Sequence, residues 1–386
     1  MKSVISTERL PIKLWLEDQR WWYDGALDQA KNLANLPFAY KWIAIMPDSH
    51  VGYGMPIGAV MATNDVIVPN AVGVDIGCGM VAVKTNVRDI ARFEMEAWLR
   101  NCREVIPVGF NHQDESQYWE GFHRAPDIPI IQDELCSAQG QLGTLGGGNH
   151  FIELQQDEDG YIWIMIHSGS RNFGFKTAKF YHEAAKEMCQ KWQADIPTPD
   201  LSFLPMGDGI GQEYFVAMNY ALEFAEANRQ LMMERAKLAL TDLLGSEVTY
   251  EEYANIHHNY AQLEHHFGNN VLVHRKGATK ASSNTIGIIP GSMGTSSYIV
   301  KGLGNPDSFE SCSHGAGRMM GRAQAKRNLS LEDEQAKMAN IVGGPRNASE
   351  LDEAPGAYKD IDIVMENQSD LVEILVKLTP IANMKG

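Results

Sequence analysis

The chain has 386 residues, 44% hydrophobic and 21% charged, an ordinary globular balance that excludes disorder, collagen-like repeat and coiled coil. No run approaches the roughly 18 uninterrupted apolar residues of a membrane span, and the first thirty residues carry charges through every apolar stretch, so no signal-peptide core or transit sequence is read there and a soluble, cytoplasmic protein is expected. Forty-nine acidic against thirty-three basic residues give a net charge of −16, which speaks against coating nucleic acid through a general positive field and leaves room for a local basic groove.

In chain order, residues 24 to 36 predict a short helix with Asp24 as candidate cap. From Trp42 to about Val87 the texture is β, in three runs separated by glycine turns. Residues 89 to 102 read as helix and 110 to 128 as a polar, aromatic-rich loop. The segment FIELQQDEDGYIWIMIHSGSR predicts a hairpin turning at Asp159-Gly160. Two long helices are expected, about 173 to 194 and about 211 to 243, followed by glycine-rich loops, short strands, a basic helix near 315 to 327, a loop from 341 to 357 and a terminal tail. The pattern is α+β without βαβ regularity, so neither a Rossmann fold nor a barrel is supported.

Five cysteines, at 78, 102, 136, 189 and 312, are odd in number and scattered; they make no disulfide framework and suit a reducing compartment. The 35 glycines cluster in segments that also hold His, Cys, Asp and Asn: MPDSHVGYGMPIG, PNAVGVDIGCGM, GTLGGGNHF, HSGSR with HHN, and PGSMG with SCSHGAGR. Asp75 and Cys78 pair a carboxylate with a thiolate on one turn, and His150, His167 and His258 bring the total to enough donors for one four-coordinate ion or two ions sharing a ligand. Taken singly, Cys78 and His150 read equally as buried, satisfied side chains, and Asp75 as a turn cap. Gly146 to Asn149 and Pro290 to Gly294 form candidate backbone nests for an anion, or simply tight turns. Ser313 to Arg318 is expected to open the basic helix and so offer an anion both the helix N-terminus and Arg318, with His314 either a cap neighbour or a nucleophile toward phosphorus. His112, His123, His182, His265, His266 and His274 are expected to be mostly solvated. Arg318, Arg322, Lys326 and Arg327 offer either a basic groove or a solvated face.

Together these motifs, from about Ile43 to the terminal Lys385-Gly386 and in this order, resemble the RtcB family of RNA-splicing ligases. The resemblance implies one large domain over residues 1–386, with central β-sheets surrounded by helices. It implies an enzyme that joins RNA ending in a 2′,3′-cyclic phosphate or 3′-phosphate to RNA beginning with a 5′-hydroxyl, using GTP and two Mn²⁺ ions. By resemblance, Asp75, Cys78, His150, His167 and His258 hold the two ions with Cys78 between them, and His314 becomes covalently guanylylated. Also by resemblance, the guanylate site takes Asn149, His150, Phe151, Ile152, Glu153, His258, Asn259, Pro290, Gly291, Ser292, Met293, Ser297, His314, Gly315, Ala316, Gly317 and Lys385, with Lys385 and Glu153 reading the guanine. His50 falls close to that centre. Imidazole and thiolate suit zinc at least as well as manganese, so the choice of ion rests on the resemblance. Two rivals use part of the same set: a dinuclear phosphoesterase would need the metal ligands but not His314, and a non-catalytic nucleotide binder would need the nests but not five ligands.

Overall fold

The computed structural model describes residues 1–16, 25–345 and 347–386. Two large, almost wholly antiparallel sheets organise it. The first has six strands in the order Ser3–Ile5, Ile12–Leu14, Ala39–His50, Ile57–Thr63, Asn269–Lys276, Asn259–His266. Its one parallel contact joins Ile12–Leu14 to Ala39–His50. The second has seven strands: Tyr250–His257, Gly79–Thr85, Ile162–Ser168, Phe151–Asp157, Val372–Lys385, Ser297–Gly302 and Ile286–Ile289. The α+β expectation holds, because antiparallel neighbours need only turns and no crossover helix.

The Ile162–Ser168 strand shows why its sequence is continuously apolar. Ile162, Ile164 and Ile166 face a layer built from Trp98, Leu99, Met232, Met233 and Leu240, while Trp163 and Met165 face Ile288, Ile299 and Leu378. Both faces are covered, so the period of two separates two apolar environments and not core from water. The covering helices are Arg92–Val105 and Gly209–Leu244, and Arg171–Trp192 packs beside the latter.

The expected hairpin turns at Gly160 (φ +88°), and the two long helices fall where the periodicity placed them. The first helix is Ala26–Ala34; its proposed cap, Asp24, lies outside the described residues. Three readings change. The basic helix is only Arg322–Asn328, so His314 stands outside it, eight residues before its start, and the SHGAGR segment does not open it. The tail is no loose end: Val372–Lys385 is an inner strand of the second sheet, with Lys385 in register with Phe151. Of the six histidines expected to be mostly solvated, His266 and His274 are buried in the first sheet; His274 accepts the Val68 N–H at 3.0 Å, and burial pulls it down to about 4. Among the described residues, no helix is long and apolar enough to cross a membrane.

Candidate active site

The site forms where the two sheets meet. The Tyr250–His257 strand belongs to the second sheet and Asn259–His266 to the first, so His258 occupies the single-residue step between them. Its N–H donates to the Cys78 carbonyl (2.8 Å) and its carbonyl accepts from Ala278 (3.2 Å). Within the second sheet Gly79 pairs with Ser168, Met80 with His167, and Phe151 with His167. Register therefore brings Cys78, His167 and His150 to one sheet edge, although 89 residues separate the first from the second.

Cys78 Sγ lies 3.4 Å from His150 Nε2 and 3.2 Å from His167 Nε2. His150 Nε2 is 3.0 Å from Asp75 Oδ2, and His167 Nε2 is 3.3 Å from His258 Nε2. Cys78, His150 and His167 bring three ligand atoms within 4.8 Å of one another, with Asp75 beside His150 and His258 beside His167. His257 turns away to Arg229 and the Gly77 carbonyl. The His167 Nδ1–H donates to the Asn149 carbonyl (3.2 Å), leaving the Nε2 lone pair aimed at the cluster. Ligand atoms bound at about 2.1 and 2.3 Å in tetrahedral directions stand about 3.6 Å apart, close to the observed spacing, so the donor set fits a cation.

Burial holds His167 and His258 well below the ordinary histidine value, so both are neutral. Burial, then the Asp75 carboxylate, raises the Cys78 thiol well above its ordinary range; a bound cation reverses that balance and makes the sulfur a thiolate ligand. Burial pushes the Asp75 carboxyl up, but hydrogen bonds from His150 and Cys78 and the nearby Arg171 together hold it below the usual carboxylate value.

His314 follows the Ser311–Ser313 strand and packs against His258 with ring centroids 4.8 Å apart. Its Nδ1–H donates to Asp48 Oδ2 at 2.6 Å, and the same oxygen accepts the N–H groups of His314 (3.1 Å) and Gly315 (3.3 Å). Asp48 is fully buried. The amides expected to cradle a phosphate thus hold a carboxylate, and that carboxylate fixes the tautomer leaving Nε2 as a free base. Gly317 is required here: its φ is +74° and a Cβ would lie 2.0 Å from the Asp48 carbonyl. The second nest is likewise occupied from within, since Ser292 N–H donates to Thr295 Oγ1 (2.7 Å) and Gly291 N–H to Ser297 Oγ (3.3 Å).

A cavity of about 720 Å³ joins these parts. Asp75, Cys78, Asn149, Phe151, His167, His258, Asn259, Pro290 to Met293, His314 to Gly317 and Lys385 line it, as do His50, Lys276, Arg318 and Arg322. Lys385 reaches it above the Phe151 ring, its Nζ 5.2 Å from the centroid and 3.5 Å from the Asn149 carbonyl. Four of the expected residues do not line it. His150 stands behind Cys78; Ile152 points into the opposite core with Leu154 and Ile166. Ser297 supports the Pro290–Met293 loop from below. Glu153 is buried, bonded by Gln155 Nε2 (2.6 Å) and by Asn383.

The basic residues are not simply solvated. Arg318, Arg322 and Lys326 pair with Asp352 and Glu353 of the Ala348–Glu353 turn.

Several functional residues escaped the sequence reading. Asp48 sat inside the noted MPDSH motif without being singled out. Asn228 and Arg229 lay unremarked in an apolar helix, although a buried Asn-Arg pair is a polar break in that face. Arg229 Nη1 donates to the carbonyls of Gly77 (2.8 Å) and Ser168 (3.0 Å), and Asn228 accepts the N–H groups of Gly143 and Thr144.

Fold and site together define a mixed α/β protein with a buried thiol–imidazole cluster, a candidate metal centre, beside a carboxylate-oriented histidine. The sequence model of the family described as tRNA-splicing ligase RtcB matches residues 29–386. The RNA-splicing ligase RtcB of Escherichia coli K12 is 40% identical over 100% of this chain and 99% of its own length. The tRNA-splicing ligase RtcB of Pyrobaculum aerophilum is 30% identical over 98% and 95%, and the RNA-splicing ligase RtcB of Mycobacterium tuberculosis 31% identical over 93% and 100%. The chain belongs to the RtcB family.

Proposed function

We propose that this RNA ligase joins a 3′-phosphate or 2′,3′-cyclic phosphate end to a 5′-hydroxyl end with GTP and two Mn²⁺ ions, in tRNA splicing or RNA repair, and that residues 1–386 act as one cytoplasmic catalytic domain. The observation that carries it is the pairing of His314 Nδ1–H with the buried Asp48 carboxylate, beside the Cys78-centred ligand cluster and inside one cavity.

In this reading Asp75, Cys78 and His150 hold one ion and Cys78, His167 and His258 the other. Bound there, the ions supply positive charge to stabilise phosphoryl oxygens and to activate water that opens a cyclic phosphate. Asp48 keeps the proton on Nδ1, and the His314 Nε2 lone pair attacks the α-phosphorus of GTP as the bond to pyrophosphate breaks. A 3′-phosphate oxygen then displaces His314 from the guanylate. Finally the 5′-hydroxyl oxygen attacks the activated 3′-phosphorus, its proton is lost, and GMP leaves. Holding the groups in one cavity turns encounters into an oriented reaction. Asn149, Phe151, Asn259, Pro290 to Met293, Gly315 to Gly317 and Lys385 shape the guanylate half, with His150, Ile152, Glu153 and Ser297 supporting it from behind.

The test is incubation with GTP labelled at the α-phosphate and Mn²⁺. An acid-labile, alkali-stable protein adduct is expected, absent from a folded His314→Ala variant. A wild-type chain that forms no adduct, or a His314→Ala variant that still does, defeats this reading.

A further inference from the structure

Among the exposed aromatic side chains of the described residues, Tyr53 alone lines the cavity. It is 73% exposed, and no hydrogen bond or ring contact from another described residue engages its side chain. Its backbone is the opposite of loose. Gln29 grips Gly52 through both amide atoms, Nε2 to the carbonyl (2.5 Å) and Oε1 from the N–H (3.0 Å). The Tyr53 carbonyl accepts from Lys276 Nζ (2.6 Å) and from the Met55 N–H (2.7 Å). Gly54, at φ +69°, lies so close to the Asp200 backbone that a Cβ would come within 2.8 Å of its carbonyl.

A loop whose backbone is pinned and holds an aromatic ring in water at a cavity mouth has already met the backbone part of the ordering cost of a stacking contact. The cations Arg318 and Arg322 line the same cavity, which suits a ligand whose phosphates lie beside its flat face. We infer that Tyr53 is a stacking platform for the terminal nucleobase of an RNA end. This rests on the ligase reading. Every base has a π-face, so such a platform grips the end while tolerating its sequence.

The experiment is a binding cycle. Short single-stranded RNAs, one ending in a 3′-phosphate and one beginning with a 5′-hydroxyl, carry a fluorophore at the far end and either a normal or an abasic terminal nucleotide. Their affinities are measured for the wild-type chain, Tyr53→Ala and Tyr53→Phe. Tyr53→Ala is expected to weaken one of the two normal RNAs about 5- to 150-fold, the range that base–aromatic stacking supplies; which RNA suffers identifies the end that stacks. Tyr53→Phe restores binding, and the abasic RNA shows no further loss in Tyr53→Ala. Unchanged affinity in Tyr53→Ala, an equal loss in Tyr53→Phe, or a loss that persists with abasic RNA overturns the platform. The GTP adduct of His314, formed without RNA, is followed alongside. Its absence from the wild type would sink the ligase reading, while the binding cycle would still decide the role of Tyr53.

Discussion

At the scale of single residues, Asp48 and Glu153 show two uses of a buried carboxylate. Asp48 is paired with His314 and sets which ring nitrogen is basic. Asp48→Asn keeps the shape but can turn an amide N–H toward Nδ1, which favours the wrong tautomer. Guanylylation is expected to fall on the order of 10³- to 10⁴-fold while the melting temperature changes little, a comparison to be made by single-turnover labelling and calorimetry. Among the described residues, no cation is in hydrogen-bond contact with Glu153. Burial pushes it up to about 7, and Lys385, Gln155 and Asn383 pull it only partly back. Because this folded value lies above the unfolded one, the folded chain holds the extra proton between about pH 4.5 and 7. Its contribution to stability is complete below about 4.5 and lost as pH rises through 7. Between those limits the unfolding free energy of the wild type should drop about 3 kcal/mol more than that of Glu153→Gln; urea titrations with parallel pH dependence would refute this.

Two elements position the site from behind. The Gly209–Leu244 helix supplies Arg229, which is fully buried and ties the turn before Gly79 to the end of the Ile162–Ser168 strand. Arg229→Leu removes the donor shared by the Gly77 and Ser168 carbonyls, Asn255 and His257, and unpins both ligand-bearing segments. A loss of about 3 kcal/mol or more in urea unfolding is expected, together with weaker retention of metal on dialysis. Full stability with full metal content would show that the arginine is dispensable. The Val372–Lys385 strand carries the other contribution. On chain position alone Lys385→Ala should be silent. Lys385 is in register with Phe151 and lines the cavity, and in the proposed reaction it would offer its ammonium to a guanine oxygen. Losing one charge-assisted hydrogen bond costs about 1.5–3 kcal/mol, so the GTP concentration for half-maximal guanylylation should rise about ten- to hundred-fold and preference over ATP should erode. Superimposable GTP curves would mean that guanine is read elsewhere.

Across the whole molecule, a net charge of −16 has to coexist with an RNA ligand. The cavity concentrates Arg318 and Arg322, but Asp352 and Glu353 neutralise part of that charge, and burial brings Lys276, already donating to two carbonyls, down to about 7. The footprint is therefore small. If about three phosphates are neutralised, single-stranded RNA affinity should vary with salt at a logarithmic slope near −2, a loss of about twenty-fold between 50 and 200 mM. A slope several times steeper would reveal a basic surface beyond the cavity.

The two long helices, the hairpin at Gly160 and the residue types of the donor cluster were legible in the sequence, because turn chemistry and side-chain period are local properties. So was the family, because eight motifs stand in one order. The meeting of Asp75, Cys78, His150, His167 and His258 was not readable from spacing. It is made by strand register and by the crossing of the chain between sheets at His258. The sequence also read the amides of His314 and Gly315 as open to an anion, since nothing local shows that Asp48, 266 residues before His314, fills them. Likewise the terminal Lys385 reads, on chain position alone, as a frayed end until the Phe151–Asp157 strand pairs with it. Residue chemistry and local period are written along the chain; which groups face each other, and which are already satisfied, is decided only when distant segments compete for the same partners.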